Sequence, residues 1–238
     1  MKNQYRFFVN EILEMHKIIP ASKELSHQIL NVLRLHQGSK ICAFGINKRE
    51  FLCTLDIDKK NVFIKAEQEI FENTCPKLDL TMAISSLKAD KIEIVLQKCT
   101  EIGVRNFILV PSEHSISRLD LEMFCKKRPR WDIILKEASE QCGGLFVPEI
   151  KFSKDFKDLN LDIYDKKIYA HKCEKSQNLS NIIDAKDSKI LICIGSEGGF
   201  SAEELFFFEE NDFYTSLFGE RILRAETAAI VSAALALI

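Results

Sequence analysis

The sequence predicts an α/β protein in which a small segment of short strands precedes a layered domain of parallel βαβ units. Three observations carry that expectation. Apolar, β-branched runs separated by turn residues fill the first 70 or so positions, the pattern of closely spaced short strands. From Leu78 onward, apolar runs alternate with stretches of helical periodicity, which implies helices packed on a parallel sheet. Two later runs end in glycine, at Ile194-Gly195 and Phe218-Gly219. Ligands of open α/β sheets sit at that carboxyl edge, and glycine there lets backbone come close to them.

In the first segment, Lys40–Phe44, Glu50–Ile57 and Asn61–Ala66 read as strands of a small barrel or sandwich. The turn-like stretches Gly45–Arg49 and Asp58-Lys59-Lys60 divide them. A helix over Ser22–Leu33 interrupts the strands, with Ser22 as its N-cap. The pattern changes near Thr74-Cys75-Pro76, so the boundary is placed at about residue 73, giving domains 1–73 and 74–238. Leu78–Leu87 then predicts a strand, Lys91–Ile102 an amphipathic helix, and Phe107–Val110 a strand ended by Pro111. Pro129–Gln141 predicts a helix with proline at its start, and Lys167–Ala170 and Ile190–Ile194 two more strands. A helix from Ser201, a strand near Tyr214–Phe218 and an apolar final helix complete the order.

Composition narrows the function. The chain has 238 residues, 46% of them hydrophobic, enough for a buried core. Met1–Asn10 is too polar for a signal peptide, and Ala225–Ile238 is shorter than the ~20 residues a bilayer span takes. The expected location is the cytoplasm. Eight separated cysteines without a CxxC or Cys/His spacing predict buried free thiols and no structural metal or disulfide framework. The net charge of −2 is not that of a typical nucleic-acid binder. It is uneven, however: residues 1–73 hold 11 Lys/Arg against 9 Asp/Glu, residues 74–238 hold 22 against 26, and Lys126, Lys127, Arg128 and Arg130 crowd together.

Four segments can carry chemistry. Ile192–Ser201 runs from an apolar strand through Gly195-Ser196-Glu197-Gly198-Gly199 into a helix that Ser201 and Glu204 open as a capping box. Without a ligand it would be only a tight strand-to-helix turn. G-x-G-x-x-G and the Lys-Ser/Thr pair of a P-loop are both missing, which disfavours dinucleotide and nucleotide triphosphate readings. Leu217–Ala228 is a second strand end and glycine, followed by a charged loop and an apolar helix; two such loops side by side would make a pocket. Lys88-Ala89-Asp90-Lys91 opens a helix whose Ile92, Val95, Leu96 and Ile102 face inward, so its charges read as a solvated face. His114, Ser115, Ser117 and Arg118 follow a strand edge, where polar loops meet substrates.

Taken in order, these segments resemble the RsmE family of SPOUT methyltransferases, which methylate N3 of a uridine in bacterial 16S ribosomal RNA. The resemblance runs nearly end to end: Arg6-Phe7-Phe8-Val9, His27 with Val32-Leu33-Arg34-Leu35, Lys88–Lys91 with Gln97–Val104, Arg130-Trp131 with Glu137–Gly143, Ile194–Phe200, and Gly219–Ala228. Ser196, Ala89 and Gly144 depart from the family's usual proline, glycine and arginine. The resemblance implies a PUA-like β-barrel that helps bind RNA, and a SPOUT α/β domain threaded through a deep trefoil knot. It also implies a homodimer with the last helix in or near the interface, S-adenosyl-L-methionine as cofactor, and 16S ribosomal RNA or the assembled small ribosomal subunit as partner.

Residue by residue, the resemblance lines the cofactor pocket with His171, Gly195, Glu197, Gly198, Gly219, Ile222, Leu223 and Thr227. Uracil N3 is a poor nucleophile until it loses its proton, so a base or a cation must act there. Arg224 is the candidate that stabilises the uracil oxygens, and Glu226 the candidate that orients Arg224 or assists proton removal. A purely structural Arg224–Glu226 ion pair is the competing reading. Arg6, Arg34, Arg118, Lys126, Lys127, Arg128 and Arg130 are candidate phosphate contacts. The rival functions are a SPOUT enzyme for another ribosomal or transfer RNA nucleotide and a non-catalytic RNA-binding assembly factor.

Overall fold

The computed structural model describes residues 5–71, 75–112, 114–115, 119–173, 176–217 and 221–238. They form two units. The first takes in residues up to Cys75 together with Ser139–Phe146, the second Pro76–Ala138 and Val147–Ile238.

In unit one the strands β1 (Arg6–Val9), β2 (Ile18–Pro20), β3 (Lys40–Gly45), β4 (Glu50–Asp58) and β5 (Asn61–Ile70) form one sheet in the order β1-β3-β4-β5-β2. Only β1 and β3 run parallel; the remaining pairs are antiparallel. Among the described residues the sheet ends at β1 and β2 rather than closing. Helix α1 (Lys23–His27) continues into a π-helical turn at Gln28–Val32, and the Ser22 hydroxyl accepts from the Leu25 amide at 3.1 Å, which satisfies one of the helix's free donors. Alternating residues such as Phe7, Val9, Phe51, Cys53 and Leu55 close the core.

The Arg6 side chain lies inside this unit. Its Nε donates to Glu50 at 2.7 Å, and its two terminal nitrogens donate to the carbonyls of Ser139 and Gly144, each at 2.8 Å. The guanidinium also sits 4.0 Å from the centre of the Phe44 ring. With only 13% of its side chain exposed, Arg6 is not available to a phosphate, and the expectation that it contacts RNA is corrected. These bonds, with one from the Phe8 amide to Glu140 at 2.9 Å, also explain why residues 139–146 group with unit one rather than with the larger domain in which the boundary at 73 leaves them.

Unit two contains β6 (Asp79–Ser85), α2 (Ala89–Ile102), β7 (Asn106–Val110), α3 (Leu121–Cys142, up to residue 138), β8 (Glu149–Phe152), β9 (Lys166–Ala170), β10 (Gln177–Asn178), α4 (Leu179–Ile182), β11 (Lys189–Ile194), α5 (Ala202–Glu210), β12 (Tyr214–Leu217) and α6 (Ala225–Leu237). Its seven strands pair in the order β10-β12-β9-β11-β6-β7-β8, every ladder parallel. Parallel sheets are covered on both faces, and accordingly Ile190–Ile194 of β11 are all buried. One face meets Val95, Leu96 and Cys99 of α2 with Ala229 and Ala233 of α6; the other meets Phe156, Phe200, Phe208 and Phe213.

Helix α3 begins eight residues earlier than its sequence pattern suggests. Asp120 caps it by accepting from the Met123 amide at 2.7 Å, so Pro129 lies in the helix interior instead of at its first position. Cys53, Cys99 and Cys193 are buried free thiols, and burial pushes each thiol up, Cys53 to about 12. No described helix is long and apolar enough to cross a membrane.

Breaking a buried ion pair from one side leaves an uncompensated charge, at roughly 3 kcal/mol. Arg6→Ala is therefore expected to lower stability by about that amount in urea unfolding, whereas Arg34→Ala, at an exposed position, changes it by less than about 0.5 kcal/mol. Equal small losses for both would refute the structural role of Arg6.

Candidate active site

At the carboxyl edge of β9, β11 and β12 the sheet opens into a cleft of about 610 Å³. Its walls are the segment after β9 (Ala170–Lys172), the glycine loop after β11 (Gly195–Gly199), the end of β12 (Ser216, Leu217), and the coil and first turn leading into α6 (Arg221–Ala225, Ala228). Lys91, in the first turn of α2, completes it.

The glycine loop is held at both ends. Ile194 is buried in the sheet, and Phe200 packs edge-on against Phe156, Tyr169 and Phe208 at 5.0–6.1 Å between ring centres. Between them, the Gly199 amide donates to the Ser196 carbonyl at 2.9 Å and the Ser196 hydroxyl to the Gly199 carbonyl at 3.2 Å. Gly199 takes φ +78°, a left-handed conformation that glycine adopts without strain. Gly198 serves a different contact: a Cβ there would lie 2.7 Å from His114 Cβ and 2.8 Å from the His114 carbonyl. The close approach that this glycine permits is to the chain segment after β7.

The electrostatic centre is Lys91. Its ammonium lies 3.3 Å from Glu197 of the glycine loop and 3.4 Å from Glu226 in the first turn of α6. All three side chains are largely shielded, at 18%, 22% and 16% exposure. Burial draws the Lys91 pKa down, but its bonding to Glu197 and the field of Glu226 outweigh burial and hold it above the usual lysine value. Glu226 Oε2 is buried and 3.4 Å from the ammonium without reaching hydrogen-bond geometry.

Of the expected pocket residues, His171, Gly195, Glu197, Gly198, Ile222 and Leu223 all line the cleft. Gly219 lies outside the described residues, and Thr227 is exposed on α6 next to the lining residue Ala228 but is not itself among the lining residues. Arg224 lines the cleft, is exposed, and has no ion pair among the described residues. Glu226 sits beside the cleft rather than on its wall, and its partner is Lys91, not Arg224. The expected orienting contact from Glu226 to Arg224 is thereby corrected: the carboxylate is already engaged by a nearer cation. Lys91 belongs to a segment that the sequence marks as able to carry chemistry but favours as a solvated helix face; the structure places it on the cleft instead.

Lys126, Arg128 and Arg130 stand exposed on α3, with Lys127 half-buried beside Trp131. Arg128 pairs with Asp132 at 3.6 Å and Arg130 with Glu93 at 3.2 Å, both across solvent-exposed surface, where such pairs are weak and easily exchanged for a phosphate. Arg34 is exposed in unit one, and Arg118 lies outside the described residues.

A parallel sheet whose carboxyl-edge loops wall a cleft of mixed charge defines a ligand-binding α/β domain, and residues 74–237 match the family model of the RNA methyltransferase domain. Ribosomal RNA small subunit methyltransferase E 2 of Borreliella burgdorferi is 32% identical over 223 residues, 91% of this chain and 89% of that protein. Ribosomal RNA small subunit methyltransferase E of Bacillus subtilis is 33% identical over 213 residues, 86% of this chain and 83% of that one. The crystal structure of ribosomal RNA small subunit methyltransferase E from Neisseria gonorrhoeae bound to S-adenosyl methionine superposes with a TM-score of 0.86 at 25% identity, over 98% of this chain and 96% of that one. The chain belongs to the ribosomal RNA small subunit methyltransferase E family.

The Gly198 geometry has a direct consequence. Gly198→Ala forces the loop or His114 to move, a strain of roughly 1–3 kcal/mol, and is expected to lower the thermal unfolding midpoint. At Gly144, where an added Cβ meets nothing closer than 3.4 Å, the same substitution is tolerated. A Gly198→Ala protein as stable as wild type would refute the contact.

Proposed function

We propose that this protein methylates N3 of a uridine in 16S ribosomal RNA of the small ribosomal subunit, with S-adenosylmethionine as methyl donor. The observation that carries the reading is the cleft itself, where the glycine loop, a helix start without a side-chain cap and an arginine without an ion pair among the described residues converge at one sheet edge. Family membership supports it, as does the cofactor bound by the Neisseria relative.

The residues present fit such a cofactor. Gly195, Gly198, Gly199, Ala225 and Ala228 place little side-chain bulk in or beside the cleft. No side chain caps α6, so its first amides and the coil at 222–224 are placed to offer backbone donors to an adenosyl group. Gly195, Glu197 and Gly198 would hold it from one side, Ile222 and Leu223 from the other, with His171 at the end of β9; Gly219 and Thr227 belong to the same proposal. The bound cofactor supplies an electrophilic methyl group on a sulfonium.

The chain's own groups act on the acceptor. Arg224 places its guanidinium against the uracil oxygens, where charge develops as the N3 proton leaves. The proton moves toward Glu197 and Glu226, two carboxylates that share the single Lys91 ammonium and so keep one uncompensated negative charge. The cleft holds a base turned out of its stack in line with the methyl group. Arg34, Arg118, Lys126, Lys127, Arg128 and Arg130 neutralise phosphates along the RNA.

The finer architecture belongs to the same proposal: a PUA-like, RNA-binding domain at 1–73, a SPOUT domain at 74–238 with its chain drawn through a trefoil knot, and a cytoplasmic homodimer. Leu235 and Ile238, exposed at the end of α6, suit a helix at or near the dimer interface.

Two measurements test the reading. Incubated with S-adenosylmethionine and unmodified small-subunit RNA or subunits, the wild-type protein is expected to produce 3-methyluridine, detected by nucleoside mass spectrometry; methylation of another position would overturn the assignment. Arg224→Ala should lower turnover at saturating RNA by about 10²–10³-fold, the usual effect of removing one charge-stabilising donor. Unchanged turnover would remove Arg224 from the mechanism.

A further inference from the structure

We propose that Lys91 is a positioning residue of the methyl-transfer site, acting through Glu197 and Glu226; the inference rests on the function proposed above. Three segments far apart in sequence meet at its ammonium. Lys91 comes from the first turn of α2, Glu197 from the glycine loop after β11, and Glu226 from the first turn of α6. The glycine loop and the start of α6 both contribute walls to the cleft, with Glu197 on the lining and Glu226 beside it, and no other ion pair among the described residues joins the two segments.

The geometry is that of a shared counter-ion. Separations of 3.3 and 3.4 Å exceed the roughly 2.7–2.9 Å of a fully formed ammonium–carboxylate hydrogen bond. The lysine is thus drawn between two partners instead of closing on one. A structural ion pair needs one carboxylate; here one ammonium is shared by two, and the 3.4 Å contact with Lys91 is the one polar contact of the buried Glu226 Oε2 among the described residues. An oxygen held by that one long contact keeps lone-pair capacity for a proton. Lys91 fixes the spacing of the two walls and holds both carboxylates against the place where N3 loses its proton. Without it, two shielded carboxylates face each other with no cation between them, and their repulsion pushes the glycine loop away from α6.

The test uses the full-length protein with Lys91→Met, Lys91→Arg, Glu226→Gln and the Lys91→Met/Glu226→Gln double variant. Against RNA, Lys91→Met is expected to lower kcat at least tenfold while KM for RNA changes less than about threefold. Lys91→Arg, whose planar fork reaches two carboxylates, should restore at least a third of wild-type kcat. Because Lys91 acts through its partners, the double variant should be no more than about twofold worse than the worse single variant. A second readout needs no RNA. In calorimetric titration with S-adenosylhomocysteine, Lys91→Met should weaken binding at least fivefold and Lys91→Arg should not.

Losses that multiply in the double variant would overturn the proposal, as would a Lys91→Arg protein no better than Lys91→Met in both readouts. A wild-type protein that binds S-adenosylhomocysteine but methylates no RNA would defeat the proposed function, while the binding series would still decide the role of Lys91. Should Lys91→Met not fold, the comparison of Lys91→Arg and Glu226→Gln with wild type in calorimetry decides it: retained affinity in the first and reduced affinity in the second support the proposal, and the reverse overturns it.

Discussion

Strand β11 runs parallel to β6 on one side and to β9 on the other, and most of what surrounds the site follows from that pairing. Parallel neighbours cannot be joined by a tight turn, so each strand hands its chain to a crossover that returns to the opposite end of the sheet. Every carboxyl end then lies on the same edge, and the segments after β9, β11 and β12 must leave the sheet side by side. The central position of β11 also requires apolar residues on both faces, which Lys189–Ile194 supplies after its first residue. The glycine loop is therefore anchored upstream by a buried strand and downstream by Phe200 in an aromatic cluster.

Charge is distributed unevenly around the cleft. On the α2 side one ammonium serves two carboxylates, all three largely shielded from water; near the coil before α6, Arg221 and Arg224 are exposed. Shielding decides what each can do. Arg224, still solvated and unpaired among the described residues, keeps its donors for an incoming anion. The Lys91 cluster has already lost much of its hydration, so its internal attractions are stronger and its geometry harder to disturb. In the proposed function, a nucleobase entering the cleft would meet a fixed acceptor side and an adaptable donor side.

How much of this could be seen in the sequence depended on the distance over which each feature is determined. Ser22 and Ser201 were legible as caps because a cap is decided within four residues, and both accept the expected amides, from Leu25 and Glu204. Strand β11 was legible because five consecutive apolar residues before a glycine admit few other readings. Strands β2 and β8, at three and four residues, are too short to establish a period. Pro129 fits the first position of a helix locally, but the Asp120 cap nine residues upstream starts α3 earlier and leaves the proline inside it. Arg6 and Lys91 failed for one shared reason. A cation's role depends on the carboxylates that reach it, and Glu50 lies 44 residues from Arg6, while Glu197 and Glu226 lie more than a hundred from Lys91. Helical periodicity placed Lys91 outside the α2 core, which is correct, but outside that core is the cleft and not open solvent.

The glycine loop shows how such a site can be shaped before any ligand arrives. Glycines at a strand end are usually explained by close approach of a ligand to backbone, yet Gly198 is needed here because His114 is close, and Gly195 lies tight against Gly199 and Phe200 where the loop folds back. Where the family usually has proline, Ser196 ties its hydroxyl to the Gly199 carbonyl while its own carbonyl receives the Gly199 amide. A ring that restricts φ and a pair of hydrogen bonds that close the turn are two ways of removing the same conformational freedom. Only the second leaves Ser196 with an N–H to donate. The loop is thus held by the protein's own contacts at every second residue, and a ligand that enters the cleft need not contribute the free energy of ordering it. That is the condition under which binding energy remains for distinguishing the transition state from the ground state, and it locates the preorganisation of the glycine loop in contacts made by His114, Ser196 and Phe200.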